Sequence, residues 1–209
     1  MKNAFIFITV LLLAMASCNK YEHAEGNTPQ PVFKAYHIGD LYQNDTLQGI
    51  VFHTIAGGTS GLMVSLDETL LPWCTENYVN TETGATNPYD GWYNTNILMS
   101  NYDLSRYPAI QWSHQRNTWQ LVYQPYFQVN ARQWYVPSCN ELRYLMLNQT
   151  AVNATLDALG YPTLEDKTYW SSTELGTRSA AALRMQNDST IITEIVKDQL
   201  LYVRAVRNF

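Results

Sequence analysis

The sequence has little charge, and none of that charge is gathered into a basic run. Only 15% of its 209 residues are Asp, Glu, Lys or Arg, whereas about 25% is usual for a soluble protein. The 13 Lys and Arg residues are outnumbered by 18 Asp and Glu residues, which gives a formal net charge of −5. An acidic chain without a basic patch is poorly suited to phosphate backbones or anionic headgroups. We therefore expect no nucleic-acid partner.

The sequence also lacks the motifs of common hydrolases and metal sites. It contains neither HExxH nor GxSxG, and it has only 4 histidines. Three of these, His37, His53 and His114, are scattered and do not match a metal-ligand spacing. The adjacent acidic residues Asp67 and Glu68 have no evident acid–base partner. We therefore expect no metal, no cofactor and no catalytic residue.

One long apolar run is present, and it lies at the start of the sequence. Residues 4–15 are almost wholly apolar and follow the basic Lys2. This run is too short for a hydrocarbon core of ~30 Å, so it predicts a signal peptide over residues 1–17 instead of a transmembrane helix. The small residues Ala16 and Ser17 then precede Cys18.

The end of this segment resembles a bacterial lipobox, in which small residues precede a cysteine that becomes lipidated. The resemblance implies that Cys18 is acylated and becomes the first residue of the mature protein. The alternative is an ordinary secretory signal followed by a chance cysteine. Acylation at Cys18 predicts a lipid anchor in a Gram-negative envelope. The expected membrane is the outer one, and the choice between its periplasmic and surface-exposed faces stays open.

A polar segment follows the predicted acylation site. Residues 18–35 include Gly26, Pro29 and Pro31, so they predict a flexible tether. Residues 36–209 are numerous enough for one domain with a sizeable core. The chain has 15 tyrosines and 6 tryptophans, a composition that suits a β-rich extracytoplasmic domain.

Two cysteines lie within the predicted domain. In an oxidising compartment Cys74 and Cys139 are a possible disulfide, although the sequence does not show whether their Cα atoms approach within ~7 Å. Two free thiols are the alternative. Cys139 follows a predicted helix N-cap, where a thiol pKa is lowered, but no histidine lies near it in sequence to act as a base.

Local patterns predict an α+β domain. Apolar runs at residues 49–55 and 61–66 flank a Gly-Gly turn and predict a hairpin. Ser138 and Glu141 form a capping-box pattern ahead of apolar residues at helical spacing, which predicts a helix. The same rules predict a helix from Pro108, a short helix capped by Asn94, a helix over 152–159, and strands near 169–172, 180–185, 190–196 and 202–207. This order of strands, helices and strands is typical of an α+β fold.

Seven phrases of the sequence, in their order, resemble a known family. They are GIVFHTIAGGTSGLMVSLDE, DGWYNTNIL, YPAIQW, WYVPSCNELRYLM, NATLDALG, YWSSTE and YVRAVRNF. Together they resemble bacterial envelope proteins that carry domain of unknown function 1566 and the related major paralogous domains. The resemblance implies a single C-type-lectin-like domain, similar to the formylglycine-generating enzymes, over residues 36–209. It implies short antiparallel strands, two to three short helices, and final strands that pair with the first ones.

The chain lacks the functional motifs of calcium-binding C-type lectins and of the formylglycine-generating enzymes. The calcium motifs of true C-type lectins are absent, since the nearest matches at residues 124–126 and 92–94 lack the carboxylates that Ca²⁺ prefers. The closely spaced cysteines of the formylglycine-generating enzymes are absent too. The last two matched phrases contain Glu174 and Arg204, and we expect these residues to form a structural hydrogen-bonded pair.

One irregular stretch predicts a binding surface. The candidates are the aromatic and polar residues of the phrase DGWYNTN, namely Asp90, Trp92, Tyr93, Asn94 and Asn96. Exposed aromatic rings beside amide and carboxylate groups can stack on a sugar or on a partner's side chains. The alternative is that these residues build the loop and that Trp92 lies in the core.

The leading prediction is an envelope-anchored lipoprotein that acts as a non-catalytic binding module for a carbohydrate or another envelope protein. One alternative is a structural protein, such as an adhesin or assembly component of the cell surface. Another is an enzyme distantly related to the formylglycine-generating enzymes. The fold does not decide among them, because one fold serves many functions. An open aromatic groove would favour binding, a buried polar pocket catalysis, and an unpaired edge strand assembly.

Overall fold

A computed structural model describes residues 34–44, 47–117, 133–186 and 189–209 of the chain. These residues belong to one structural unit, Phe33–Phe209. They form an α+β fold in which two β-sheets and four α-helices enclose the core. Cys18, most of the predicted tether and the weak lectin match at residues 124–126 lie outside the described residues.

The helices and strands follow the α+β order expected from the sequence. The helices are α1 (Gly91–Asn101), α2 (Pro108–Gln115), α3 (Cys139–Leu147) and α4 (Gln149–Ala158). The strands are β1 (Leu41–Gln43), β2 (Gln48–Ile55), β3 (Ser60–Val64), β4 (Thr69–Pro72), β5 (Tyr169–Gly176), β6 (Ser179–Gln186), β7 (Ser189–Val196), β8 (Leu200–Val203) and β9 (Val206–Asn208).

The first sheet is antiparallel, with strand order β1-β2-β3-β9. Its centre is the β2–β3 hairpin that the sequence predicted, closed by a turn in which Gly58 has a φ of +88°. A Cβ atom at Gly58 would lie 2.4 Å from the carbonyl oxygen of Tyr36, so the close approach of these two segments requires glycine. Strand β9 pairs with β3, with Met63 opposite Arg207. The expected pairing of the final strand with the first ones is confirmed.

The second sheet is mixed, with strand order β4-β8-β5-β6-β7. Only β5 and β8 run parallel, where Tyr169 lies opposite Tyr202, so the expectation of antiparallel strands throughout was wrong at this pair. The single strand predicted near residues 202–207 is in fact two strands, β8 and β9, which belong to different sheets. The chain passes from the second sheet to the first at Arg204, which lies between β8 and β9. The buried Arg204 guanidinium donates hydrogen bonds there to the carbonyl oxygens of Ser65 and Leu66.

The helices differ in number and in one boundary from the prediction. The described residues contain four α-helices where two to three were expected. The helix α1 begins after Asp90, so the prediction that Asn94 caps it was wrong. The capping box of α3 is confirmed: Ser138 accepts from the Glu141 N–H, and the Glu141 carboxylate accepts from the Ser138 N–H. Within the described ranges, no helix has the length and apolar character needed to cross a bilayer.

The centre of the second sheet, formed by β5 and the first part of β6, is buried on both of its faces. Tyr169 and Trp170 are neighbours on β5, and their side chains enter two different hydrophobic clusters. The first cluster also holds Leu142 of α3, and the second holds Leu98 of α1. This division follows from the alternation of side chains along a strand. The exposed side chains of this sheet lie mainly on the edge strand β7, and its other edge strand is β4.

Candidate functional site

The predicted binding residues lie around the first turn of α1. Asp90 is the N-cap, and its Oδ1 accepts a hydrogen bond of 3.0 Å from the Tyr93 N–H. The Tyr93 side chain is 54% exposed. Asn96 is half-buried and lies one turn further on, on the same side of the helix as Tyr93. Asp90 thus has a structural role as a cap, while Tyr93 and Asn96 face outward enough to contact a ligand.

Two of the predicted residues face the interior. Asn94 is fully buried: its Oδ1 accepts from the Asn87 N–H at 2.9 Å, and its Nδ2 donates to the Asn87 carbonyl at 2.7 Å. Trp92 is half-buried against the first core cluster, with its ring edge-on to Tyr135 at a centroid distance of 6.0 Å. These two residues therefore fit the alternative interpretation, in which they build the loop and its contact with the core.

One exposed aromatic residue of this site is missing from the sequence prediction. Tyr89 is 75% exposed, in a turn where Asn87 Oδ1 accepts from the N–H groups of Tyr89 and Asp90 at 2.9 and 3.2 Å. The Asn-Pro before Tyr89 and the Asp-Gly after it are turn signals that place its side chain on the surface. We use the name aromatic surface for Tyr89, Asp90, Tyr93 and Asn96.

The frame beneath the aromatic surface is held by a buried carboxylate. Glu141 Oε2 accepts from the N–H of Gly91 at 3.0 Å and from that of Ser138 at 2.8 Å, and its Oε1 accepts from the Tyr135 hydroxyl at 2.8 Å. Burial raises the pKa of Glu141, while these hydrogen bonds act in the opposite direction. The Glu141 side chain therefore links the start of α1 to the start of α3 and holds the backbone beneath the exposed tyrosines in place.

The two cysteines of the domain are free, buried thiols in this structure. Cys74 lies in the second core cluster and Cys139 in the first, so the structure does not join the pair. Burial raises the pKa of Cys74 to about 11, and it raises that of Cys139 as well. The expected lowering of the Cys139 pKa by the helix N-terminus is outweighed by burial, which opposes thiolate chemistry at that position.

Glu174 and Arg204 do not pair with each other, so that prediction was wrong. Glu174 forms a fully buried ion pair with Lys197, which lies just after β7. Arg204 pairs with Glu68, whose Oε2 is 3.0 Å from the Arg204 Nε. The Glu174 carboxylate also accepts hydrogen bonds from the backbone N–H groups of Thr83 and Gly84. Each of the two ion pairs joins segments that are distant in sequence.

Metal-ligating side chains are dispersed in the part of the chain that the structure describes. Within those ranges, no group of three or more His, Cys, Asp or Glu side chains is arranged to hold an ion. His53 and His37 contact an aromatic and an acidic side chain, respectively. His53 stacks on Tyr144 with ring centroids 5.0 Å apart, and His37 lies 3.4 Å from Asp40.

Comparison with known proteins finds a similarity to a solved structure. No family model matches the chain, and no curated protein matches it. The crystal structure of a fimbrial protein from Bacteroides ovatus is similar, with a TM-score of 0.55 and 20% sequence identity. The match covers 71% of this chain and 36% of the fimbrial protein, so the chain spans about a third of that protein's length. At this identity the similarity shows a shared fold.

Proposed function

We propose that this chain is a non-catalytic structural or adhesive component of a bacterial cell-surface assembly. The observation that carries the proposal is the structural similarity to a fimbrial protein, in which a fold of this kind makes up about a third of the molecule. The placement of the titratable groups agrees with this role. Three buried charged residues, Glu174, Lys197 and Arg204, form ion pairs that join distant segments of the fold.

The proposal includes a lipid anchor at Cys18. The support is the order of basic residue, apolar run, small residues and cysteine at the start of the sequence. Acyl chains on Cys18 would hold the protein on the outer membrane, and residues 18–35 would hold the domain away from the lipid. A substitution Cys18→Ser is then expected to move the protein from the membrane fraction to the soluble fraction.

The proposal also includes a C-type-lectin-like fold of the domain-of-unknown-function-1566 type. Its support is the order of the seven matched phrases, several of which coincide with defined elements. The phrase WYVPSCNELRYLM contains the capping box of α3, and YVRAVRNF contains the switch between sheets at Arg204. A lectin-like fold also suits an adhesin, because it presents loops on a rigid base.

A carbohydrate or surface-protein ligand is a second candidate function, favoured by the aromatic surface. Tyr89 and Tyr93 are both well exposed, and the backbone between them is fixed by the Asn87 turn and the Asp90 cap. Rings on a rigid support lose little conformational entropy when they stack on a sugar. Binding at this surface would use stacking on the two rings and hydrogen bonds to Asp90 and Asn96.

The structural role is tested on cells of the producing bacterium. Surface filaments are sheared off, sedimented and probed for this chain, and cells lacking the gene are examined by negative-stain electron microscopy. We expect the chain to cross-link to filament subunits and the deletion to change filament number or length. A protein that never cross-links to filaments, in cells whose filaments are unchanged by its deletion, would overturn the proposal.

The ligand is tested separately with the mature chain from residue 18. Binding to a glycan array is compared for the wild type, the double variant Tyr89→Ala, Tyr93→Ala, and the control Tyr161→Ala, which removes an exposed tyrosine after α4. We expect a wild-type signal that the double variant loses and the control keeps. Equal signals from all three proteins would rule out the aromatic surface as a carbohydrate site. An array negative for the wild type would direct the search to protein ligands.

A further inference from the structure

The edges of the two sheets differ in how well they are protected. The edge strands β1, β9 and β4 are short, with three, three and four residues, and β4 ends in Pro72. Strand β7 has eight residues and contains neither proline nor lysine. In the part of the chain that the structure describes, no strand pairs with its outer side. Proteins ordinarily protect such an edge, because its free N–H and C=O groups can pair with another chain.

The backbone of β7 is regular and therefore ready for pairing. All eight of its residues pair in continuous antiparallel register with β6, from Ser189 opposite Gln186 to Val196 opposite Ser179. The neighbouring β5–β6 ladder, in contrast, is interrupted by register shifts. A bulge would twist an edge away from a partner, and β7 has none.

The side chains of β7 suit an additional strand as well. Six of its eight residues are β-branched, the class with the highest strand preference. Ile192 is 50% exposed and Val196 is 38% exposed, although both are large and apolar. Glu194 is the one charged residue, and its carboxylate accepts a hydrogen bond from Ser179 on the adjacent strand.

The sequence of β7 is nearly self-complementary about Thr193. In antiparallel pairing of two copies centred there, Ile191 of each copy lies opposite Ile195 of the other. Thr190 lies opposite Val196, which has nearly the same shape. Glu194 lies opposite Ile192, so the two carboxylates avoid each other, whereas pairing centred on Glu194 would oppose like charges. A two-fold interface requires this kind of self-complementarity.

We propose that two copies of this chain pair through the outer edges of β7, in antiparallel register about Thr193, to form one continuous ten-stranded sheet. The partner at this edge is thus a second copy of the chain. The pairing does not depend on a role in filaments, and it leaves the aromatic surface on α1 free in both copies.

The first test measures association with the mature chain from residue 18 carrying Cys18→Ser, so that no lipid contributes. Sedimentation is expected to show a concentration-dependent dimer. Thr193→Cys in the same chain should form a disulfide-linked dimer on mild oxidation, because opposed residues in antiparallel strands have Cα atoms about 4.5–5.5 Å apart. Ile55→Cys, at the exposed end of β2, is the control and should remain monomeric on denaturing gels. A monomer at every concentration, or equal cross-linking of both variants, would overturn the proposal.

The second test uses charge to determine the register. Ile192→Glu would oppose Glu194 of the second copy twice across the two-fold axis, and we expect the dimer dissociation constant to rise about tenfold or more. Ile192→Lys at the same exposed site would instead face Glu194, and the dimer should persist. Leu200→Glu, on β8, is the matched control for added negative charge. A dimer that is insensitive to both substitutions at Ile192 would exclude the β7 edge, and equal loss with Glu and Lys would exclude the register about Thr193.

Discussion

Glu141 and Gly91 lie 50 residues apart in sequence, and the Gly91 N–H donates a hydrogen bond of 3.0 Å to Glu141 Oε2. The same oxygen accepts from the Ser138 N–H in the capping box of α3. One carboxylate therefore accepts a hydrogen bond from a backbone N–H at the start of each of two helices, α1 and α3. This contact connects the base of the aromatic surface to the core.

Replacing Glu141 should destabilise the fold even when the shape of the side chain is kept. In Glu141→Gln, the NH₂ group would face either backbone N–H donors or the Tyr135 hydroxyl, which would then have to reverse from donor to acceptor. The charge-assisted hydrogen bonds of the carboxylate would also become weaker neutral ones in a buried site. We expect a loss of about 1–3 kcal/mol in the free energy of unfolding, measured by urea denaturation. Glu76→Gln, at an exposed carboxylate, is the control. Equal stability of the two variants would show that the bond to Gly91 contributes little.

Gly91 should tolerate no side chain, for steric reasons. A Cβ atom there would lie 2.4 Å from the Ser138 nitrogen and 2.5 Å from the Val136 carbonyl oxygen, both of which are backbone atoms. Gly91→Ala is therefore expected to cost about 1–3 kcal/mol through overpacking. At Gly176 an added Cβ would meet only the Ser179 hydroxyl, at 3.3 Å, so Gly176→Ala is the matched control. Similar melting temperatures for the two variants would contradict this close packing.

These two positions show which parts of the fold the sequence could predict. The capping box at Ser138 and Glu141 is a local pattern, and so is the hairpin at Gly57 and Gly58; both were predicted correctly. The contact between Glu141 and Gly91 depends on how α1 and α3 pack, which no local pattern contains. In the same way, the DGWYNTN phrase predicts a binding surface near residue 90, but it does not show that the Asn94 side chain is buried.

The ion pairs illustrate the same limit for charged residues. Lys197 follows β7 and reaches Glu174 at the end of β5, because β6 places these strand ends side by side. Arg204 reaches Glu68 because the chain crosses there from one sheet to the other. Predicting either partner requires the strand order of the second sheet, which the sequence alone did not provide.

Lys197 and Glu174 should be strongly coupled. Lys197 is fully buried and also donates to the carbonyl oxygens of Thr81 and Thr177 at 2.9 and 2.8 Å. Lys197→Met leaves the Glu174 carboxylate buried without its counter-ion, and we expect a loss of about 3–5 kcal/mol. In the double variant Lys197→Met, Glu174→Gln, the loss should be smaller than the sum of the two single losses. Additive losses in this double-mutant cycle would refute the coupling.

Cys74 and Cys139 should react as buried thiols. Burial raises the pKa of Cys74 to about 11, so its thiol stays protonated at neutral pH, and that of Cys139 is raised for the same reason. In the mature chain carrying Cys18→Ser, we expect alkylation of both thiols to be slow in the native state and complete in denaturant. Mass spectrometry of a digest prepared without reducing agent identifies which cysteines are alkylated and which peptides are disulfide-linked. A peptide that links Cys74 to Cys139 would instead support the disulfide considered from the sequence.

His114 should make stability depend on pH in one direction. Burial lowers its pKa from the usual 6.5, and its Nδ1 is buried without a hydrogen-bond partner among the described residues. The unfolded chain therefore binds a proton at His114 more readily than the folded one, so stability is lost as pH falls below about 6.5. Glu141, whose pKa is raised, acts in the opposite sense at lower pH, so the comparison must isolate His114. Wild type and His114→Gln are melted at pH 8, where both have a neutral side chain, and at pH 5.5. We expect their difference in melting temperature to shift in favour of the variant at pH 5.5, and an unchanged difference would show that His114 keeps its usual proton affinity.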